Sequence, residues 1–103
     1  MESHTPKIEI EEKIKADEPF EVKISVGPHP NTIQHSTRKI DVYFYEDGKA
    51  FNPIYLASII LTPVYTEPEI SLKLKVSKSG TLYVLEYWNL HGIWEGRKEI
   101  RVK

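Results

Sequence analysis

The feature that most constrains the fold is a regular alternation of apolar and polar residues that recurs along the chain. Its clearest instance covers residues 20–26 (FEVKISV), where every second side chain is apolar. A period of two sends alternate side chains to opposite faces of a strand, so this segment predicts a strand with one buried face. The other segments that predict strands are residues 8–14, 40–45, 55–62, 69–76, 81–88 and 94–102.

Turn signals separate these segments, and no stretch keeps a helical period over about ten residues. Two prolines and a glycine mark the loop after residue 26, Asp47-Gly48 favours a tight turn, and Ser77 to Gly80 forms another break. Seven short strands at this spacing predict an all-β fold, a seven-stranded immunoglobulin-like β-sandwich. The 103 residues suffice for one core, so residues 1–103 are predicted to form a single domain.

Composition excludes several classes of function. The net charge is −1, with lysine and glutamate interleaved along the strands, so neither nucleic acid nor an anionic membrane is an expected partner. No apolar run approaches the roughly 18 residues of a membrane span, and the N-terminus lacks the pattern of a signal peptide, so a cytoplasmic protein is expected. The chain has no cysteine, which excludes disulfides, thiolate nucleophiles and thiolate metal ligands together.

All four histidines, His4, His29, His35 and His91, stand where the strand pattern breaks. If successive strands alternate in direction, the start of the first strand and the loops after the second, fourth and sixth lie at one end of the sandwich. The histidines would then converge on one pole, where neutral imidazoles could bind zinc, iron, copper or nickel. No His-x-x-His or His-Glu-x-x-His spacing supports a metal site, so four solvated loop histidines remain the alternative.

The segments around these histidines resemble, in order, the successive motifs of the superoxide reductase family, that is, of neelaredoxin and the desulfoferrodoxin iron domain. The similarity extends over nearly the whole chain. The segments that carry it are residues 2–9 (ESHTPKIE), 26–35 (VGPHPNTIQH), 64–68 (VYTEP) and 87–95 (YWNLHGIWE).

The resemblance implies an immunoglobulin-like domain with one mononuclear non-haem iron per chain, which reduces superoxide to peroxide. The four family histidines, which bind the iron in its equatorial plane, correspond to His4, His29, His35 and His91. Glu2 corresponds to the glutamate that can close over the sixth position in the oxidised state. An external electron donor such as rubredoxin would then be a partner, together with the small-molecule substrate superoxide.

Two positions depart from the family pattern. Its axial ligand is a cysteine, but Trp88 occupies that place, and an indole has only an N–H donor and no lone pair suited to a metal. Ser3 replaces the lysine that attracts superoxide. Four neutral imidazoles leave the iron with its full positive charge, so the oxidised state should be disfavoured. The alternative is a non-redox metal-binding or protein-interaction domain, in which zinc or nickel would fit the same imidazoles.

Four further residues are candidates for shaping the site. Trp88 could fill the volume under the metal plane or pack into the top of the core, and Trp94 could cover the site or pack at an edge strand. Pro28 and Pro30 bracket His29 and restrict it to extended backbone, which would stiffen the loop.

Edge strands leave a homo-oligomer possible.

Overall fold

The computed structural model describes residues 5–26 and 31–103, and its seven strands confirm the predicted all-β sandwich. The strands are β1 (Lys7–Ile10), β2 (Phe20–Ser25), β3 (Thr37–Glu46), β4 (Ile54–Ile60), β5 (Glu69–Leu74), β6 (Gly80–Trp88) and β7 (Gly92–Ile100). They form a three-stranded sheet in the order β1-β2-β5 and a four-stranded sheet in the order β4-β3-β6-β7. In the part of the chain described, no helix is long and apolar enough to cross a membrane.

The core lies between the two sheets and is built from the apolar half of each alternating strand. Along β2 and β6 the alternate side chains are buried, and those between them are more exposed. Removing this apolar surface from water is the main favourable contribution to folding. The buried apolar residues of the core are Ile14, Phe20, Val22, Ile24, Ile40, Val42, Phe44, Leu61, Val76, Leu82, Val84 and Ile100.

The first strand is shorter than the alternation predicts. The alternation predicts one strand over residues 8–14, but β1 ends at Ile10. The next inward position is Glu12, which is exposed, so a continued strand would have to bury a carboxylate. Ile14 re-enters the core after this break, is fully buried, and forms an isolated parallel bridge with Val102.

Strand register brings the ends of both sheets to one pole, as alternating strand directions predict. In the small sheet, the end of β2 meets the starts of β1 and β5. In the large sheet, the start of β3 meets the ends of β4 and β6, and the end of β6 meets the start of β7. The pairs that define this pole are Lys7 with Ser25, Ser25 with Glu69, Lys39 with Ile60, Thr37 with Trp88 and Trp88 with Gly92.

Gly96, in the middle of β7, lets the N-terminal segment approach this strand closely. Pro6 is buried, and a Cβ atom added to Gly96 would lie 2.8 Å from both Cγ and O of Pro6. Real Cβ atoms essentially never come that close to another heavy atom, and one of the two atoms belongs to the backbone. The contact fixes the position of Pro6, which follows His4 by two residues in the sequence.

We expect Gly96→Ala to lower the free energy of unfolding by about 1–3 kcal/mol, because the added methyl group would force Pro6 away from β7. Urea unfolding followed by tryptophan fluorescence measures the change. Lys98→Ala, an exposed change on the same strand, should stay within about 0.5 kcal/mol of the unsubstituted protein. Equal stability of the two variants would contradict the close approach.

Candidate metal centre

Two of the four predicted ligands, His35 and His91, lie within the described residues. The other predicted site residues at the N-terminus and in the loop after β2 are outside them, namely Glu2, Ser3, His4, Pro28, His29 and Pro30. Among residues 5–26 and 31–103, no three His, Cys, Asp or Glu side chains are grouped closely enough to hold an ion. The described part therefore provides a pair of imidazoles and the groups that position them.

The imidazole rings of His35 and His91 meet although the residues are far apart in sequence. Their centroids are 4.7 Å apart and their planes are inclined by 61°. Imidazole nitrogen binds a transition metal at about 2.0–2.1 Å, so two rings bound at right angles would have centroids roughly 4.5 Å apart. The observed separation therefore fits adjacent ligands of one ion, and imidazole suits iron, zinc and nickel alike.

Asn89 holds the two histidine-bearing segments together. Its side-chain Oδ1 accepts a hydrogen bond from the Ser36 N–H at 3.1 Å, and its Nδ2 donates to the Gln34 carbonyl at 2.7 Å. The Asn89 N–H also donates to the Ser36 carbonyl at 3.4 Å. One amide thus satisfies backbone groups on both sides of His35 from the β6–β7 turn that carries His91.

A local turn fixes the backbone at His35. The His35 N–H donates to Oγ1 of Thr32 at 3.0 Å and to the Thr32 carbonyl at 3.3 Å. In return the Thr32 N–H donates to the His35 carbonyl at 3.0 Å. The ring Nε2 atom is buried.

His91 is held by the residues that follow it. The indole Nε1 of Trp94 donates to the His91 carbonyl at 3.1 Å, and the Trp94 side chain is half-buried in β7. Gly92 has φ of 76°, a left-handed conformation that costs a glycine little. This turn reverses the chain between β6 and β7 directly after His91. The described contacts make Trp94 a support for the backbone of His91.

Trp88 lies beneath the two imidazoles. It is fully buried, and its ring centroid is 5.7 Å from that of His35 and 6.1 Å from that of His91, both in edge-on arrangements. Trp88 is thus buried at the end of β6, next to both imidazoles. Its indole Nε1 donates to Oε1 of Glu86 at 2.9 Å.

Glu86 is the functional candidate that the sequence reading passed over. It stands on the inner face of β6 and is fully buried, and burial raises the pKa of its carboxyl to about 7, although the hydrogen bond from Trp88 opposes the rise. Its Oε2 atom has no hydrogen-bond partner among the described residues. The signal was available, because an acidic residue at an inward position of an alternating strand requires an explanation.

A third segment, between β4 and β5, is tied to the same pole through Asn31. The Asn31 side chain accepts a hydrogen bond from the Val64 N–H at 2.9 Å and donates to the Thr66 carbonyl at 3.3 Å. Val64 has φ of 75°, which is costly for a β-branched residue. The bond to Asn31 thus holds a strained backbone against the loop that precedes His35.

Comparison with known proteins gives consistent matches. The family model described as Desulfoferrodoxin matches residues 1–97. The solved superoxide reductase (neelaredoxin) of Ignicoccus hospitalis is 57% identical, with a TM-score of 0.94 over 97% of this chain and 81% of that chain. The superoxide reductase of Pyrococcus furiosus is 38% identical over 91% of this chain and 85% of that protein. The neelaredoxin of Megalodesulfovibrio gigas is 33% identical over 99% of this chain and 89% of that protein.

The raised pKa of Glu86 predicts how stability depends on pH in the metal-free protein. Between the ordinary value of 4.5 and the folded-state value of about 7, the folded chain binds more protons than the unfolded chain. Stability from this group is therefore greatest below about pH 4.5 and falls by up to about 3 kcal/mol as pH rises through 7. Urea unfolding of chelator-treated protein across this range measures the loss.

Glu86→Gln should remove this part of the pH dependence, because an amide does not ionise. Glu21→Gln, which changes an exposed carboxylate on β2, should leave the pH dependence unchanged. Parallel stability curves for Glu86→Gln and the unsubstituted protein would show that Glu86 does not titrate in this range.

Proposed function

The chain belongs to the superoxide reductase family that the desulfoferrodoxin model describes, and from this premise we propose that it binds one iron ion and reduces superoxide to hydrogen peroxide. The proposed ligands are His4, His29, His35 and His91. The observation that carries the proposal is the pair of imidazoles at His35 and His91, whose separation of 4.7 Å fits adjacent ligands of one ion.

Bound iron would supply one electron to superoxide, and with two protons the product is hydrogen peroxide. Residues of the chain would position the histidine ligands and enclose the site. Asn89 fixes the positions of the histidine segments, and Trp88 fills the inner side of the site with a buried indole. Superoxide would therefore approach from the outer side, where Glu2 is the proposed carboxylate. An external one-electron donor such as rubredoxin would complete the cycle.

The replacement of two family residues should weaken the reaction without abolishing metal binding. The Trp88 indole directs its N–H at Glu86 and offers no lone pair to an ion. Without a thiolate the oxidised iron loses an anionic ligand, so the reduction potential should be higher than with a cysteine. Ser3 brings no positive charge, so steering of the superoxide anion should be weaker as well.

A non-redox metal-binding or interaction domain is the second candidate. The observation that favours it is the full burial of Trp88 at the position of the family's thiolate. Zinc or nickel would fit the imidazoles as well as iron does, because affinity for such ligands follows the metal more than the site. Metal content therefore separates the two candidates before any assay of activity.

We expect about one iron per chain after anaerobic purification from iron-supplemented cells, since imidazoles are favourable iron ligands. Elemental mass spectrometry measures the content. A superoxide pulse should then produce a metal-centred absorbance change faster than spontaneous dismutation. His91→Ala should lose most of the iron, whereas Leu90→Ala, an exposed change in the same turn, should keep it. Zinc or nickel in place of iron would favour the non-redox candidate, and iron without a superoxide response would overturn the reductase activity.

Trp88→Cys tests whether the missing thiolate limits the reaction. We expect a new sulfur-to-iron charge-transfer band in the oxidised protein and faster superoxide reduction, because a thiolate at residue 88 would add an anionic ligand to the iron. The smaller side chain should also lower stability by about 3–5 kcal/mol through the cavity that it leaves. Trp88→Ser is the matched control, with a similar cavity and no thiolate. The same absorption and rate in both variants would show that a side chain at residue 88 does not reach the iron.

A further inference from the structure

Glu86 is buried where the described residues offer it no positive charge. Its register partners on the neighbouring strands are Ile40 and Trp94. Every ion pair among the described residues joins side chains other than Glu86, between Lys39 and Asp41, Arg97 and Glu95, Arg101 and Asp47, and Arg101 and Glu99. A carboxylate held this way is costly, because burial removes its hydration and the single hydrogen bond from Trp88 replaces only part of it.

The hydrogen bond of Glu86 connects it to the metal centre. Oε1 accepts from the Trp88 indole, and the same indole stands edge-on to both His35 and His91. The carboxyl group is therefore separated from the imidazole pair by one side chain. A cation bound by the imidazoles would be a nearby positive charge able to offset the burial of the carboxylate in a medium of low dielectric constant.

We propose that Glu86 is the counter-anion of the metal centre, and that it supplies from beneath Trp88 the negative charge that a thiolate ligand would otherwise place at residue 88. The inference rests on the proposed metal site. Glu86 is ionised when the cation is bound, and it accepts the Trp88 N–H, which orients the indole under both imidazoles. It acts through charge and positioning and does not touch the metal.

This role has a consequence that simple packing would not have. A buried anion stabilises a trivalent cation more than a divalent one, so it lowers the reduction potential of bound iron. It also strengthens the binding of any divalent ion. A residue that only packed beneath the site would affect neither the potential nor the difference between ions of different charge.

Glu86→Gln isolates the charge, because the amide oxygen can still accept the indole N–H. We expect iron(II) and zinc(II) to bind about tenfold more weakly, measured by competition with a chromophoric chelator. The midpoint potential of the iron-loaded protein should rise by about 59 mV, which corresponds to a tenfold change in the equilibrium constant of a one-electron reduction. The indole N–H resonance of Trp88 should keep its hydrogen-bonded shift in this variant and lose it in Glu86→Leu.

Glu95→Gln on the neighbouring strand removes an equal charge from an exposed position, and should change neither affinity nor potential. A second measurement needs no variant: on addition of zinc to the unsubstituted protein, infrared difference spectra should show a protonated carboxyl band replaced by carboxylate bands. The carboxylate bands should be absent from the same difference spectrum of Glu86→Gln.

The outcomes separate this inference from the proposed function. Unchanged affinity and potential in Glu86→Gln would overturn the counter-anion while leaving the reductase proposal in place. If the unsubstituted protein binds iron but does not react with superoxide, and Glu86→Gln changes the affinity and the midpoint potential, the reductase activity is overturned and the counter-anion is supported. Failure of the unsubstituted protein to bind any of iron, zinc or nickel would overturn both.

Discussion

Burial of the inner face of β6 is the constraint on which the site depends. This strand lies in the middle of the large sheet, between β3 and β7, and its inward side chains are all fully or nearly fully buried. Leu82 and Val84 complete the core, and Glu86 and Trp88 continue the same face to the pole. The core therefore sets the depth and direction at which the indole meets the imidazoles.

Hydrogen bonds in the loops hold the backbone at His35 and His91 in place. Strand pairing alone would bring the segments of His35 and His91 near the pole but would not fix the positions of their rings. Asn89 satisfies backbone groups on both sides of His35, and Trp94 bonds the backbone of His91. Such bonds satisfy backbone polar groups that would otherwise need water as a partner, so they favour one arrangement of these segments. The pairing of His35 with His91 follows from this order.

The chemistry of the site turns on one substitution. A thiolate ligand would bring a negative charge to the metal, and Trp88 brings only an N–H, which it gives to Glu86. The proposed counter-anion would thus lie one side chain farther from the metal, where its effect on an ion is electrostatic and not covalent. If the proposed function holds, that difference would preserve affinity for cations better than electron donation, and metal binding would then be separable from superoxide turnover.

Sequence alone predicted the number of strands, because a period of two is a local property. The convergence of their ends followed from the assumption that successive strands alternate in direction. The sequence also marked His35 and His91 through their family motifs. It did not determine where β1 ends, since that depended on the cost of burying Glu12. Nor did it determine the Asn89 bonds, which span 53 and 55 residues, or the approach of Trp88 to His35. Those were decided by tertiary packing, because residues distant in sequence become neighbours only once both sheets have closed.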